Sequence, residues 1–275
     1  VLFLETMGFH SDKARSLGEK VEEVLENEFL SPLNRLGLAP HAPYSVSPDL
    51  FRYLGQLAQK YHCPFSCHVA EVQDEVRFLD GGDDSLAKLL KERSAWDPQW
   101  QAPGKTPVQY LDSLDLLDRL IAIHCNFVSA DLDVMAEKKV SAVFCPNSTK
   151  WFGRTEFMPV RALLNRGVTV ALGTDSLASN DSLNFLDELR MADELLPDVS
   201  RKEILAMATC AGGEALGLQC GKLALGQQAD LIGFCVPPSY SGSWSDVPFE
   251  SHRHEVDFYM VDGKSIPLFH GDPSH

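Results

Sequence analysis

PFSCHVAE, residues 64–71, decides the fold: an apolar run of strand length ends at His68, and a carboxylate, Glu71, follows three residues later. Two further segments repeat the pattern. LIAIHCNFV (120–128) carries His124 and VTVALGTDS (168–176) carries Asp175 just past its apolar run. LGLAPHAPYS (36–45) is a fourth, ending at His41 between Pro40 and Pro43. Short runs of β-branched and aliphatic residues read as buried parallel strands. Metal-type side chains at the carboxyl ends of such strands converge on one face of a β/α barrel.

Working outward, strand and helix patterns alternate. Val1 to Glu5 reads as a strand, followed by a helical stretch with apolar Val21, Val24, Leu25 and Phe29. Ser47 to Tyr61 reads as a helix with Ser47 as N-cap, Pro48 at its first position and Asp49 in its first turn. SAVFCPNS (141–148) is another strand, and 131–140, 158–167, 184–196 and 200–218 are helical. Residues 72–117 form a long, partly helical excursion that shapes the pocket and includes a loop from Trp96 to Thr106. This alternation predicts βαβ units and a parallel sheet. From Gly221 the character changes: ADLIGF and EVDFYMVDGKSIPL read as antiparallel strands, the second turning at Asp262-Gly263. The expected organisation is therefore a hydrolase barrel over 1–220 and part of a small β-sandwich over 221–275.

The 275 residues can bury one large core, with or without a small appendage. A net charge of −15 argues against nucleic acid or an anionic membrane as partner, since phosphate contacts need clustered Lys and Arg. No apolar run reaches membrane-spanning length and no secretory leader is recognisable. Seven cysteines without C-x-x-C spacing read as reduced thiols in a cytoplasmic protein. Cys67, Cys125 and Cys145 lie inside apolar strands and read as core residues. Val1 stands in the middle of an apolar run, which predicts that further sequence precedes it.

His68 and Glu71 can cooperate only if the strand ends near His68, because residues three apart on a regular strand face opposite sides. Metal sites combine a neutral imidazole ligand with a free carboxylate that moves protons. Each residue alone has a plainer reading: His68 as a satisfied half-buried histidine, Asp175 as an N-cap. Their convergence carries the chemistry. GKT at 104–106 lacks the upstream glycine of a phosphate loop, and Pro107 spoils it. His252-x-His254 has metal-pair spacing but precedes a strand of the β-appendage. P-C-x-x-C, G-x-S-x-G and dinucleotide signatures are absent.

Taken together, APHAPYSVSP (39–48), CHVAE, IHCNF, FCPNSTKWFG (144–153) and LGTDSLASND (172–181) resemble the strand-end blocks of the amidohydrolase superfamily, in order. The resemblance is to its hydrolytic deaminase and chlorohydrolase branch, which holds S-adenosylhomocysteine/methylthioadenosine deaminases, aminodeoxyfutalosine deaminases and triazine hydrolases. ATCAGGEALGL (208–218), GKLALGQQADLI (221–232) and VDGK (261–264) are similar to its last barrel helix and return into the sandwich. The resemblance implies a (β/α)8 TIM-type barrel of which about six β/α units are present, the first two strands lacking. It implies one divalent metal, zinc with iron as the alternative, held by His68 and Asp175. It makes Glu71 the proton shuttle, Asp175 the proton acceptor, and His124 the neighbour of the activated water. His41, Asn147, Ser148 and Trp151 would contact the substrate, a small heterocycle such as an aminopurine nucleoside, in a hydrolytic deamination. The family's His-x-His pair has no match here. Triazine dechlorination and cyclic amide hydrolysis are alternatives because they share the strand-end ligands, the missing pair adds a non-catalytic fragment, and a homo-oligomer is left open.

Overall fold

The computed structural model describes residues 1–27, 35–82, 85–250 and 256–267. In chain order the elements are β1 (Leu2–Thr6), α1 (Ala14–Asn27), β2 (Leu36–Pro40), α2 (Pro48–Tyr61), β3 (Ser66–Val69), α3 (Gln73–Asp80), α4 (Ser85–Glu92) and α5 (Pro107–Asp112). There follow β4 (Ile121–His124), α6 (Leu132–Glu137), β5 (Ser141–Phe144), α7 (Pro146–Trp151), α8 (Val160–Asn165) and β6 (Thr169–Leu172). Last come α9 (Phe185–Leu195), α10 (Arg201–Ala208), α11 (Cys210–Ala215), β7 (Leu231–Gly233), β8 (Phe258–Val261) and β9 (Lys264–Ile266). The chain divides into two compact units, residues 1–144 with 155–170 and residues 145–154 with 171–275.

In the first unit β1 and β2 pair in parallel, from Leu2 opposite Leu36 to Thr6 opposite Pro40. β3, β4 and β5 also pair in parallel, with β6 next in the order of that sheet. A parallel bridge from Leu38 to Phe65 links β2 to the approach to β3. The expected α/β character with parallel pairing is observed. α1 buries Ala14, Gly18, Val21 and Leu25, one face at helical spacing. α2 begins as its sequence predicts: Ser47 Oγ accepts from Leu50 N at 3.3 Å, and Pro48 occupies the first turn. Gly18 is required where the helices meet, since a Cβ there would collide with the Tyr53 ring. The Phe29 position of the α1 pattern lies outside the described residues. The loop from Trp96 to Thr106 is pinned by aromatic packing, with Trp100 stacked on Phe78 at 5.4 Å and 6°.

The second unit departs from expectation twice. SAVFCPNS is not strand throughout: β5 stops at Phe144 and α7 starts at Pro146, whose fixed φ and missing N–H suit a first helical position. The single helix expected over 200–218 is broken at Thr209 (φ −128°, ψ −90°) into α10 and α11. Gly221 packs against that break, where an added Cβ would lie 2.6 Å from the Thr209 carbonyl oxygen. β7, β8 and β9 form an antiparallel sheet. The hairpin turns at Asp262 (φ 50°) and Gly263 (φ 73°), both left-handed as a tight turn of that kind demands. The sheet lies within the segment expected from residue 221 onward, whereas the compact units divide elsewhere. Among the described residues no helix is long and apolar enough to cross a membrane. The His252-x-His254 pair lies outside the described residues.

Candidate active site

Backbone hydrogen bonds beyond the strand ends align the first unit's candidate site residues. His41 N donates to Thr6 O at 3.0 Å and His68 N to His41 O at 2.9 Å, carrying the ladder across β1, β2 and β3. Cys125 N donates to Val69 O and Asn126 N to Ala70 O, each at 3.0 Å, joining the ends of β3 and β4. Several residues here leave the strands in the left-handed region, namely Ala70 (φ 51°), His124 (φ 70°) and Cys125 (φ 48°). Non-glycine residues adopt it only where surrounding structure holds them, and such positions cluster at functional sites. The Ala70 turn lets Glu71 fold back over the site, as the H-x-x-E spacing required.

Three imidazoles sit side by side. The rings of His41 and His68 are 5.2 Å apart and those of His68 and His124 are 5.1 Å apart and stacked. Glu71 Oε1 lies 3.7 Å from His124 Nε2. Burial, reinforced by neighbouring His68, holds His41 below the usual histidine range, and its Nδ1 is 2.6 Å from Ser45 Oγ. A neutral imidazole of this kind can ligate a metal or take a hydrogen bond from a leaving group. Burial drives the thiols of Cys67 and Cys125 up from their ordinary range, so both are inert core residues.

The donor set fits a divalent cation. One ligand atom from each of His68, Glu71 and His124 lies within 4.8 Å of the others, and the same holds for Glu5, His41 and His68. His68 Nδ1 is buried without a hydrogen-bond partner, a cost that coordination would remove. Glu5, at the end of β1, was missed by sequence reasoning. Its only signal was its place at the end of the first apolar run.

Asp175 belongs to the second unit and is also left-handed (φ 58°). Its Oδ2 accepts from Ser148 Oγ at 2.9 Å and Ser179 Oγ at 2.7 Å. Ser148, expected at the substrate, is fully buried and serves Asp175 instead. Asn147 and Trp151 line a cavity of about 380 Å³ with Lys150, Asn180, Asp181 and Asp187. Behind it Glu188, fully buried, accepts from Asn147 N at 3.0 Å and Asn180 Nδ2 at 2.7 Å. Asn180 Nδ2 also donates to Thr174 O at 2.9 Å, tying that network to the residue before Asp175. Burial raises the Glu188 carboxyl against these donors.

In the first unit Glu75 is the counterpart: fully buried, its carboxylate accepts from Ala70 N at 2.9 Å and Glu71 N at 3.1 Å. Burial pushes its pKa up to about 8 despite those two donors. Neither buried glutamate was singled out from the sequence, because an acidic residue in a helix's first turn reads as solvent-facing.

Residues 7–266 match the sequence profile of the amidohydrolase family. Over 263 residues the chain is 30% identical to a 5-methylthioadenosine/S-adenosylhomocysteine deaminase of Pyrococcus abyssi, covering 91% of this chain and 57% of that protein. Over 246 residues it is 30% identical to a 5'-deoxyadenosine deaminase of Methanothermobacter thermautotrophicus, covering 84% and 52% respectively. The chain thus spans about half the length of these curated relatives. Among solved structures, an adenosine deaminase from Xanthomonas campestris with bound zinc superposes with a TM-score of 0.75 at 27% identity, covering 96% of this chain and 59% of that one. A Helicobacter pylori aminofutalosine deaminase gives a TM-score of 0.80 at 24% identity, over 96% and 67%, which establishes likeness of fold. The ordered strand-end histidines and the match over nearly the whole chain lead to one conclusion: this chain belongs to the amidohydrolase family.

Proposed function

We propose that the protein built on this chain catalyses hydrolytic deamination of an adenosine-derived nucleoside, converting the ring carbon that bears the amino group to its oxo form. One observation carries the reading: imidazoles of His41, His68 and His124 and the Glu71 carboxylate converge at the carboxyl ends of adjacent parallel strands. The curated deaminase relatives support the reaction class. His68 and Asp175 are the proposed holders of a divalent metal, zinc with iron as the alternative. When bound, such an ion supplies Lewis-acid activation of water.

The chain's own residues then manage protons. Asp175, which enters the proposal through its LGTDS motif, takes one proton from the attacking water. Glu71 gives a proton to the adjacent ring nitrogen, and His124, 3.7 Å from Glu71, orients the water. The proton on Asp175 passes to the amino group, the C–N bond breaks and ammonia leaves past neutral His41. The remaining hydroxyl proton returns to Glu71. Asn147 and Trp151 would bind the substrate, and Ser148 would hold Asp175. The same proposal keeps 1–220 as the hydrolase region and 221–275 as part of a β-sandwich.

The test is ammonia release from 5'-deoxyadenosine and methylthioadenosine, with metal content measured in parallel. Glu71→Gln should lower kcat by about 10²–10⁴-fold at unchanged metal content. An unchanged rate in that variant removes Glu71 from the mechanism.

A further inference from the structure

Glu71 approaches His124 where the chain turns sharply at Ala70, and two buried residues, Glu75 and Asn126, supply much of what holds that turn. Ala70 and Glu71 present four main-chain polar groups between them. Glu75 Oε1 and Oε2 accept from the two N–H groups, at 2.9 and 3.1 Å. Asn126 engages both carbonyls: its backbone N donates to Ala70 O at 3.0 Å and its Nδ2 to Glu71 O at 2.9 Å. Asn126 is itself fixed, because its Oδ1 accepts from Met158 N at 3.2 Å. Glu75 is fully buried and Asn126 is 3% exposed, so neither can reach a substrate in bulk solvent.

We propose that Glu75 and Asn126 are positioning residues: they clamp the Ala70–Glu71 main chain so that the Glu71 carboxylate stays aimed at His124. The proposal rests on the reading of Glu71 as proton carrier given above. A buried carboxyl group with both oxygens on adjacent backbone amides fixes a peptide plane in two directions, most firmly when it is ionised. Gln at the same place keeps the shape but offers one acceptor oxygen and turns an NH₂ group against the other N–H. Asp in place of Asn126 still accepts from Met158 N but loses the donor to Glu71 O.

The test has two arms on the full chain. In the first, hydrogen exchange is followed at the amides of Ala70 and Glu71. Both should be protected in the wild type and exchange at least tenfold faster in Glu75→Gln, with the amides within β3 unaffected. Wild-type exchange at the rate of an open loop would overturn the clamp, as would protection unaltered in the variant. In the second arm, ammonia release is measured for Glu75→Gln, Glu71→Gln and the double variant. Glu75→Gln should lower kcat about tenfold to a hundredfold with KM within twofold and metal content unchanged, and should add nothing once Glu71 is Gln. Losses that multiply in the double variant would show that Glu75 acts other than through Glu71. If Glu75→Gln does not fold, Asn126→Asp takes its place in the second arm, with the same expected non-additivity, and the first arm is decided by the wild-type protection of the two amides. If the wild type releases no ammonia, the functional reading fails while the exchange arm still decides the clamp.

Discussion

Glu75 makes a prediction about pH whose sign is opposite to that of most carboxylates. Its pKa is raised by burial from 4.5 to about 8, so the folded state holds a proton that the unfolded chain gives up. Stability from this group is therefore intact below about pH 4.5 and is lost as pH rises through 8. The displacement of about 3.5 pH units corresponds to about 5 kcal/mol at 1.36 kcal/mol per unit. Glu75→Gln abolishes the titration and costs about 1–3 kcal/mol for the backbone N–H it leaves facing an NH₂. The variant should thus be less stable than wild type at pH 5 and more stable at pH 9. Urea unfolding by fluorescence, in a Trp151→Phe, Trp244→Phe background, leaves Trp96 and Trp100 of the first unit as reporters. A stability difference that is flat between pH 5 and pH 9 would refute the assignment of the shift to burial.

Other outcomes follow from the packing and the donor set. Gly18→Ala forces a methyl into the Tyr53 ring between α1 and α2 and should cost about 1–3 kcal/mol in the same unfolding assay. Glu188→Ala removes the acceptor shared by Asn147 N and Asn180 Nδ2 and should lower stability by about 1–3 kcal/mol, seen as a lower urea midpoint with an unchanged slope. His68→Ala should lower zinc content, measured by elemental analysis, by at least tenfold, whereas Cys67→Ala at the neighbouring position leaves it unaltered.

What could be read from the sequence was whatever depends on local pattern. β3, β4 and β6 announce themselves as apolar runs, His68 and His124 mark strand ends, and Ser47-Pro48-Asp49 is a cap signature that the folded helix obeys. What stayed hidden depends on partners far along the chain. Glu188 gains its meaning from Asn147, 41 residues away, and Asn126 from Glu71, 55 residues away. α7 escaped because Asn147, Ser148 and Thr149 are poor helix formers whose side chains favour turns. The break at Thr209 escaped because the residue packed against it, Gly221, lies beyond the helix.

Glu75, the proposed clamp residue, sits in the opening turn of α3, and that location bears on how pockets in this chain could be re-engineered. The excursion that follows can be exchanged for another only at a splice point downstream of the carboxylate. Gly81, left-handed at φ 88° just past α3, offers a natural seam. Grafts joined there would keep the Glu75 hydrogen bonds to the Ala70 and Glu71 amides, while grafts joined at residue 72 would have to rebuild them from nothing.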